Sequence, residues 1–451
     1  MRARELLRKD LAELAASRAW WLLLVVAGLL TGQAFIAAVR SYAEMSAPTA
    51  LAQGLSPLDG IVVPTLGAYD LAIMLLFPFV AIRLVANERD TGALKLVLQW
   101  PVTRSGIVLA KVATLLVAWL ISLIPFALAL VLWQSYGGSL DAAEIANVLA
   151  GYTLRFLLTA SLSMLAAALL PGAANAAVAV LAFTIGTWAL DFLGAGRGGW
   201  IQSLGGYTPA AVSRAFERGL FRCDVVLVLL ILAIAGVALT SVWIDLGATL
   251  AKRLRRTAGI CAIAVLLGVA AANVSTSFDA SENRRNSFSP SEVRALSHVA
   301  GSSQVPDGRG GRRHTEALEM TVWLSAEDPR LADLERNVLT KLRRAMRVDV
   351  KYPLEGRTGL FDDDDRYGTI EYRLGKKRTV NRSTTEAIVV ETICELAGIA
   401  APVAEESTYG GHPLRAQPRG AGWIFYVAWP AVTLLVAWWS RRTGRSSRRT
   451  G

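Results

Sequence analysis

A chain of 451 residues with 53% hydrophobic and 18% charged side chains is too apolar for a soluble globule, in which the shares are about 45–50% and about 25%. It is expected to be a multi-span membrane protein. Residues 278–420 hold 22 basic and 22 acidic side chains, so the net charge of +11 belongs wholly to the remainder, as positive-inside loops require; a nucleic-acid partner is set aside.

Residues 1–18 open the chain. Ala3, Leu6, Leu7, Leu11 and Leu14 recur every three or four positions among Arg2, Arg4, Glu5, Arg8, Lys9, Asp10 and Glu13, which predicts an amphipathic elbow helix along a membrane surface. Its basic residues place the N-terminus in the cytoplasm. With no small-residue cleavage site, the apolar run after it reads as an uncleaved first span.

Residues 19–250 supply six apolar stretches of spanning length: Trp20–Val39, Leu66–Val85 with Pro78, Ile107–Trp133 broken by Pro125, Val148–Leu170, Ala173–Leu193 after the turn Pro171-Gly172, and Val225–Leu246. Two more come later, in residues 251–275 and 421–440. Basic clusters at Lys252, Arg253, Arg255 and Arg256, and along the 441–451 tail, bring both termini inside and put residues 276–420 outside. The expected location is the plasma (inner) membrane, with the lipid bilayer as surroundings.

The short segment Asn87–Lys111, NERDTGALKLVLQWPVTRSGIVLAK, carries Arg89, Lys95, Arg104 and Lys111 and is therefore cytoplasmic. Leu94, Val97 and Leu98 at helical spacing beside Glu88, Arg89, Asp90 and Lys95 predict a short amphipathic helix within 88–99, stopped by Pro101. So brief a helix needs something to pack on. By its residues alone it is either a transmission element or an ordinary solvated connector.

Glu88, Gly92, Leu94, Leu98, Pro101, Val102, Thr103, Arg104 and Lys111 resemble the E-x-x-x-G-[TA]-L…L…P-[VL]-[ST]-R…K signature of ABC-2 type exporter permeases. Thr208, Pro209, Phe216 and Gly219, ahead of the sixth stretch, resemble the same family. The resemblance implies that 87–104 is a coupling helix. Its ATPase-docking residues would be Glu88, Arg89, Asp90, Gly92, Leu94, Leu98, Pro101 and Arg104. It further implies an ABC ATPase subunit as partner and a dimer with a second copy or a homologous permease. No G-x-x-x-x-G-K-[ST] occurs, so ATP and Mg are expected in that ATPase, with no cofactor, metal or catalytic residue in this chain.

Composition changes after Val274. Phe278, Asp279, Glu282, Arg285, Ser287, Phe288, Ser289, Pro290, Val293 and Leu296 resemble the opening of the auxiliary domain found with gliding-motility-type ABC transporters. Gly301–Arg313 reads as a mobile loop. Met320–Ser325, a helix over Asp328–Arg347, and Val348–Tyr352 make a β-α-β unit. Thr369–Leu374 and Lys377–Val380 form a hairpin, and Ser383 caps a helix over Thr385–Leu396. The expected architecture is a polytopic α-helical membrane protein, a six-span core plus two spans, with an inserted thioredoxin-like or related α/β domain. That domain offers a surface to a cell-envelope protein.

His298 and His314 read as surface histidines, with no H-E-x-x-H anywhere. Asp362–Asp365 lacks the alternation of a calcium loop and reads as a solvated turn. Cys223, Cys261 and Cys394 follow no ligand spacing, and Cys261 is expected to be buried. Asp70, Arg83 and Asp191 lie near span ends and are expected to snorkel, whereas Arg155, two turns inside its span, joins Asn175 and Thr184 as a translocation-path residue. Two functions stay open: an exporter permease, or a mechanical coupler that moves the outer domain without passing a substrate.

Overall fold

Helices dominate because a bilayer offers no partner to a free backbone amide, so a crossing segment must satisfy its own. Among the described residues, eight helices are long and apolar enough to cross: Arg18–Met45, Leu58–Asp90, Arg104–Ser135, Ala142–Leu169, Ala173–Leu190, Cys223–Trp243, Leu250–Ala272 and Ala421–Arg442, the first to eighth spans below. The computed structural model describes residues 3–46, 55–100, 102–194, 208–245, 247–274, 276–284, 286–302, 304–306, 313–315, 317–324, 328, 330–331, 334–353, 366–402 and 411–446. Two compact units result: residues 1–195, 199–280 and 409–451 in the first, residues 196–198 and 281–408 in the second.

In the first unit the expected elbow is a helix, Ala3–Ala16. The third span is interrupted where expected, as Arg104–Ser122 and Ile124–Ser135, because Pro125 has no amide to donate back. Tyr69 and Ser122 share a hydrogen bond of 2.6 Å beside the break, and the Ser122 hydroxyl also donates to the Trp119 carbonyl at 2.7 Å. The aromatic centre of the bundle is Phe156, edge-on to Phe77 at 4.8 Å and stacked with Trp119 at 5.4 Å. The fourth and fifth spans are joined through Gly172, whose φ of 80° makes the tight turn.

The eighth span packs on the first through a G-x-x-x-G face. A Cβ on Gly28 would stand 2.1 Å from the Trp429 ring, and one on Gly32 would stand 2.3 Å from Phe425. Trp429 Nε1 also donates to the Leu24 carbonyl at 2.8 Å. Between helices already in lipid the hydrophobic effect contributes little, so close approach over small residues and such hydrogen bonds do the holding. Farther along, Tyr42 donates to the His412 carbonyl at 2.7 Å and Tyr136 to that of Arg419 at 2.8 Å.

Three expectations are corrected in this unit. The second-span helix begins before Leu66 and runs on through Glu88, Arg89 and Asp90, because Leu84, Val85 and Ala86 stay buried and the Thr91 amide still reaches Asn87 O at 3.1 Å. Only Gly92, at φ 75°, breaks it, and the loop helix is confined to Ala93–Val97. Cys261 is exposed, on a seventh span with almost no protein around it. Asp70 does not snorkel; it forms an ion pair with Arg155.

Strands β1 (Leu220–Arg222) and β2 (Ser277–Asp279) also belong to the first unit and pair antiparallel. In the second unit, β3 (Gln304–Pro306) and β4 (Arg313–Thr315) pair antiparallel, so part of the expected mobile loop is a two-stranded sheet. β5 (Leu318–Val322), β6 (Val348–Lys351), β7 (Ile370–Leu374) and β8 (Lys377–Asn381) lie in the order β6-β5-β7-β8. β5 and β6 are parallel, and the other two pairings are antiparallel. The β-α-β unit and the hairpin, with Gly375 at φ 59°, are as expected, and the sheet is mixed.

The four-stranded sheet is two-faced. Leu318, Met320, Val322, Ile370 and Tyr372 point into a core with Leu296, Leu342, Val389 and Ile393, whereas Glu319, Lys351, Glu371, Arg373 and Arg378 make cross-strand ion pairs on the other face. The helix expected over 328–347 is a π turn, Leu334–Leu339, leading into Thr340–Ala345; the Thr340 hydroxyl donates to Glu335 O, five residues back, at 2.7 Å. The helix Glu386–Ala397 is N-capped at Thr385 and not at Ser383. Glu386 is drawn away from a capping box by Lys341, 2.5 Å away. Such a box forms instead at Ser289 and Glu292, with Glu292 N to Ser289 Oγ at 3.2 Å and Ser289 N to Glu292 Oε2 at 2.8 Å. His298 is exposed. The side chain of His314, the acidic run 362–365 and the side chain of Asp191 lie outside the described residues.

Gly28→Leu should drive the eighth span off the first at a cost of about 1–3 kcal/mol, read as a lowered thermal midpoint of the purified protein. Gly259→Leu, on a helical face with nothing within 4 Å, should leave that midpoint in place.

Candidate functional site

The loop after the second span is held by a buried ionic cluster. Glu88, 3% exposed, forms an ion pair with Lys111 at 2.9 Å and accepts from Lys9 of the elbow. Lys111, itself 4% exposed, also donates to the Leu84 carbonyl at 2.8 Å. Asp10 lies 3.6 Å from Lys111 and 3.7 Å from Lys9, and Asn87 donates to Glu13 at 2.6 Å. Elbow, second span and third span thus meet at one cluster of two ammonium and three carboxyl groups. Oxygens of Asp10, Glu13 and Glu88 fall within 4.8 Å of one another, but the ammonium groups of Lys9 and Lys111 already supply the positive charge a cation would bring.

Burial pushes the Asp10 carboxyl above its ordinary value; Lys111 opposes the shift without cancelling it. Burial works to lower Lys9, yet the hydrogen bond and charge of Glu88 win and hold it above its ordinary value. Both groups therefore hold their protons more tightly in the folded chain. Each adds most stability below its ordinary range and loses it as the pH rises through the folded value.

The rest of the loop is wired outward in the same manner. Arg89 donates to the Ala167 carbonyl at 2.8 Å, at the last turn of the fourth span, where a cation also meets the negative end of the helix. In the loop helix, Val97 packs with Leu6, Ile107 and Ala110, and Leu94 is buried in the main core. Its opposite side leaves Lys95, Leu96 and Gln99 exposed, Leu96 by 63%. Thr103 caps the third span by accepting from Gly106 N at 3.1 Å. Arg104 pairs with Asp245, at the end of the sixth span, where Arg256 stands 3.9 Å off and Gly247 N donates at 3.1 Å. One short loop is fastened to the elbow and to the second, third, fourth and sixth spans.

Of the eight docking residues expected from the sequence, Glu88 and Leu94 are buried, Arg89 and Arg104 are engaged by other spans, Leu98 is half-buried, and Asp90 is exposed. Gly92 supplies the break, and Pro101 lies outside the described residues. The three translocation-path residues are not brought together. Arg155 binds Asp70 at 2.9 Å and Ser213 at 3.1 Å. Asn175 is exposed and donates to Pro171 O at 2.8 Å, and Thr184 donates to Val180 O at 2.9 Å within its own helix. An intramembrane ion pair and two local backbone bonds account for them.

Asp10 and Asp245 escaped sequence reasoning. Asp10 does carry a signal: Leu6, Asp10 and Leu14 share the buried stripe of the elbow, and a carboxylate in an apolar stripe calls for a buried cation.

Residues 4–194 match the model of the ABC-2 family transporter protein family. The matched stretch holds the elbow, the first five spans and the wired loop. No curated protein and no solved structure matches the chain. The matched stretch and the eight helices of spanning length agree on a multi-pass membrane protein, and the second unit lies beyond the matched residues.

Glu88→Gln should destabilise the protein by about 3–5 kcal/mol by leaving buried ammonium charge unpaired. Asp10→Asn should raise stability at neutral pH and flatten its rise toward acid pH; melting curves of both variants between mildly acidic and neutral pH read the two outcomes.

Proposed function

We propose that the chain is the permease subunit of an ABC-2 type exporter, moved by a separate ATPase that binds ATP and Mg. The observation that carries this reading is the wiring of the 87–111 loop. A push on it reaches the fourth span through Arg89, the sixth through Arg104, and the second and third through Glu88 and Lys111. A solvated connector needs none of these bonds.

The basic loops and tail support a topology in the inner membrane with the loop and both termini in the cytoplasm and residues 276–420 outside. The buried members of the expected docking set, Glu88 and Leu94, set the position of the loop helix. The docking face is its exposed side, Asp90, Lys95, Leu96 and Gln99, with Leu96 as an apolar knob ringed by polar groups. A second permease, identical or homologous, completes the pathway, and the fifth span, exposed along Val178, Phe183 and Ile185, has apolar surface to offer it. Hydroxyls of the fourth and fifth spans, such as Thr153, Thr159, Ser163 and Thr184, bond within their own helices, which suits an apolar or amphipathic substrate.

Leu96→Asp should abolish co-purification of the ATPase while leaving the melting midpoint of the permease unchanged, since the side chain makes little contact within the chain. ATPase recovered with that variant at wild-type levels would remove the docking assignment.

A further inference from the structure

The helix Pro209–Glu217 is bound to one side of the fourth span at three heights. Arg155 donates to Ser213 Oγ at 3.1 Å, Asn147 to the Phe216 carbonyl at 2.9 Å, and Tyr152 to Glu217 Oε1 at 2.6 Å. Positions 147, 151, 152 and 155 lie along one face of a helix. The remaining member is Gly151, where a Cβ would meet the Phe216 ring at 2.5 Å. Val212 and Phe216 close the contact against Leu154, Leu158, Val225 and Leu229. Arg155 reaches on to Asp70 of the second span at 2.9 Å. Such spending of ionisable groups within membrane helices calls for a purpose.

The chain stays stiff beyond this helix. Gly219 turns at φ 78°, and β1 pairs at once with β2, Phe221 facing Phe278. Ala280 N donates to Gly219 O at 2.8 Å and Cys223 N to Thr276 O at 3.1 Å. The rings of Phe216, Phe221 and Phe278 continue the contact, with centroids 5.8 Å and 6.4 Å apart. β2 ends at Asp279, and the second unit starts at Ser281. From the fourth span to the strand β2 there is hydrogen-bonded or packed structure within the first unit.

We propose that Tyr152, Arg155 and Glu217 are positioning residues that fasten the 209–217 helix to the fourth span, so that movement of this span is delivered to the paired strands 220–222 and 277–279 and to residues 276–280 beside them. The exporter reading is needed only for what drives the span; the coupling is a property of this chain.

The test is amide hydrogen exchange on the full-length protein, first alone. Tyr152→Phe with Glu217→Gln keeps size and removes the bond. Exchange should rise about tenfold, the scale of one charge-assisted hydrogen bond, at 220–222 and at 277–280, and stay unchanged at the first–eighth span contact. Unchanged exchange at these strands overturns the proposal. So does a uniform rise along the chain, which would make the bond merely a structural brace. With an ATPase bound, nucleotide should alter exchange at 277–280 in the wild type and no longer in the double variant; an alteration equal in both overturns it as well. Failure to bind any ATPase sinks the exporter reading and leaves the first arm standing.

Discussion

The pair formed by Glu88 and Lys111 is the constraint on which the rest of the first unit depends. Two charges almost out of reach of water can persist only in a site that satisfies both, and each is satisfied twice: Glu88 by Lys111 and Lys9, Lys111 by Glu88 and a carbonyl of the second span. The pair closes the base of the loop, since its members flank the loop on consecutive spans. With that base closed, Gly92 can turn the chain and the five-residue loop helix, too short to be stable by itself, finds its apolar side covered.

Loop and spans are joined by two kinds of force. Near the loop the joints are ionic or charge-to-carbonyl, through Arg89 and Arg104. Deeper in the bundle they are shape contacts: Phe77 and Trp119 about Phe156, Phe216 on Gly151, Trp429 and Phe425 on Gly28 and Gly32. Shape contacts make a bundle that moves in blocks, and directional bonds decide which block moves with the loop.

Spans were legible in the sequence because twenty apolar residues in a row admit few other readings, and so was the β-α-β and hairpin order of the second unit, because strand alternation and a Gly-Lys turn are local signals. The loop was legible as a motif and misjudged as geometry. Helical spacing from Glu88 onward suggested one helix, but a helix already under way from the second span absorbed Glu88, Arg89 and Asp90, and local periodicity does not tell a continuation from a new start. Arg155 was legible as costly. Its partner Asp70 was not, since pairing between residues so far apart in sequence is a product of tertiary packing. The same holds for Asp245 and the Ser383 cap, where a distant cation, Arg104 or Lys341, outbids the local expectation.

The contact between Trp429 and the Leu24 carbonyl joins residues 405 positions apart. During synthesis, then, the glycine-lined groove of the Arg18–Met45 helix is left to lipid tails until the Ala421–Arg442 helix enters the bilayer. A ribosome that stalls before that point releases a chain in which Gly28 and Gly32 still line an unclaimed surface within the membrane.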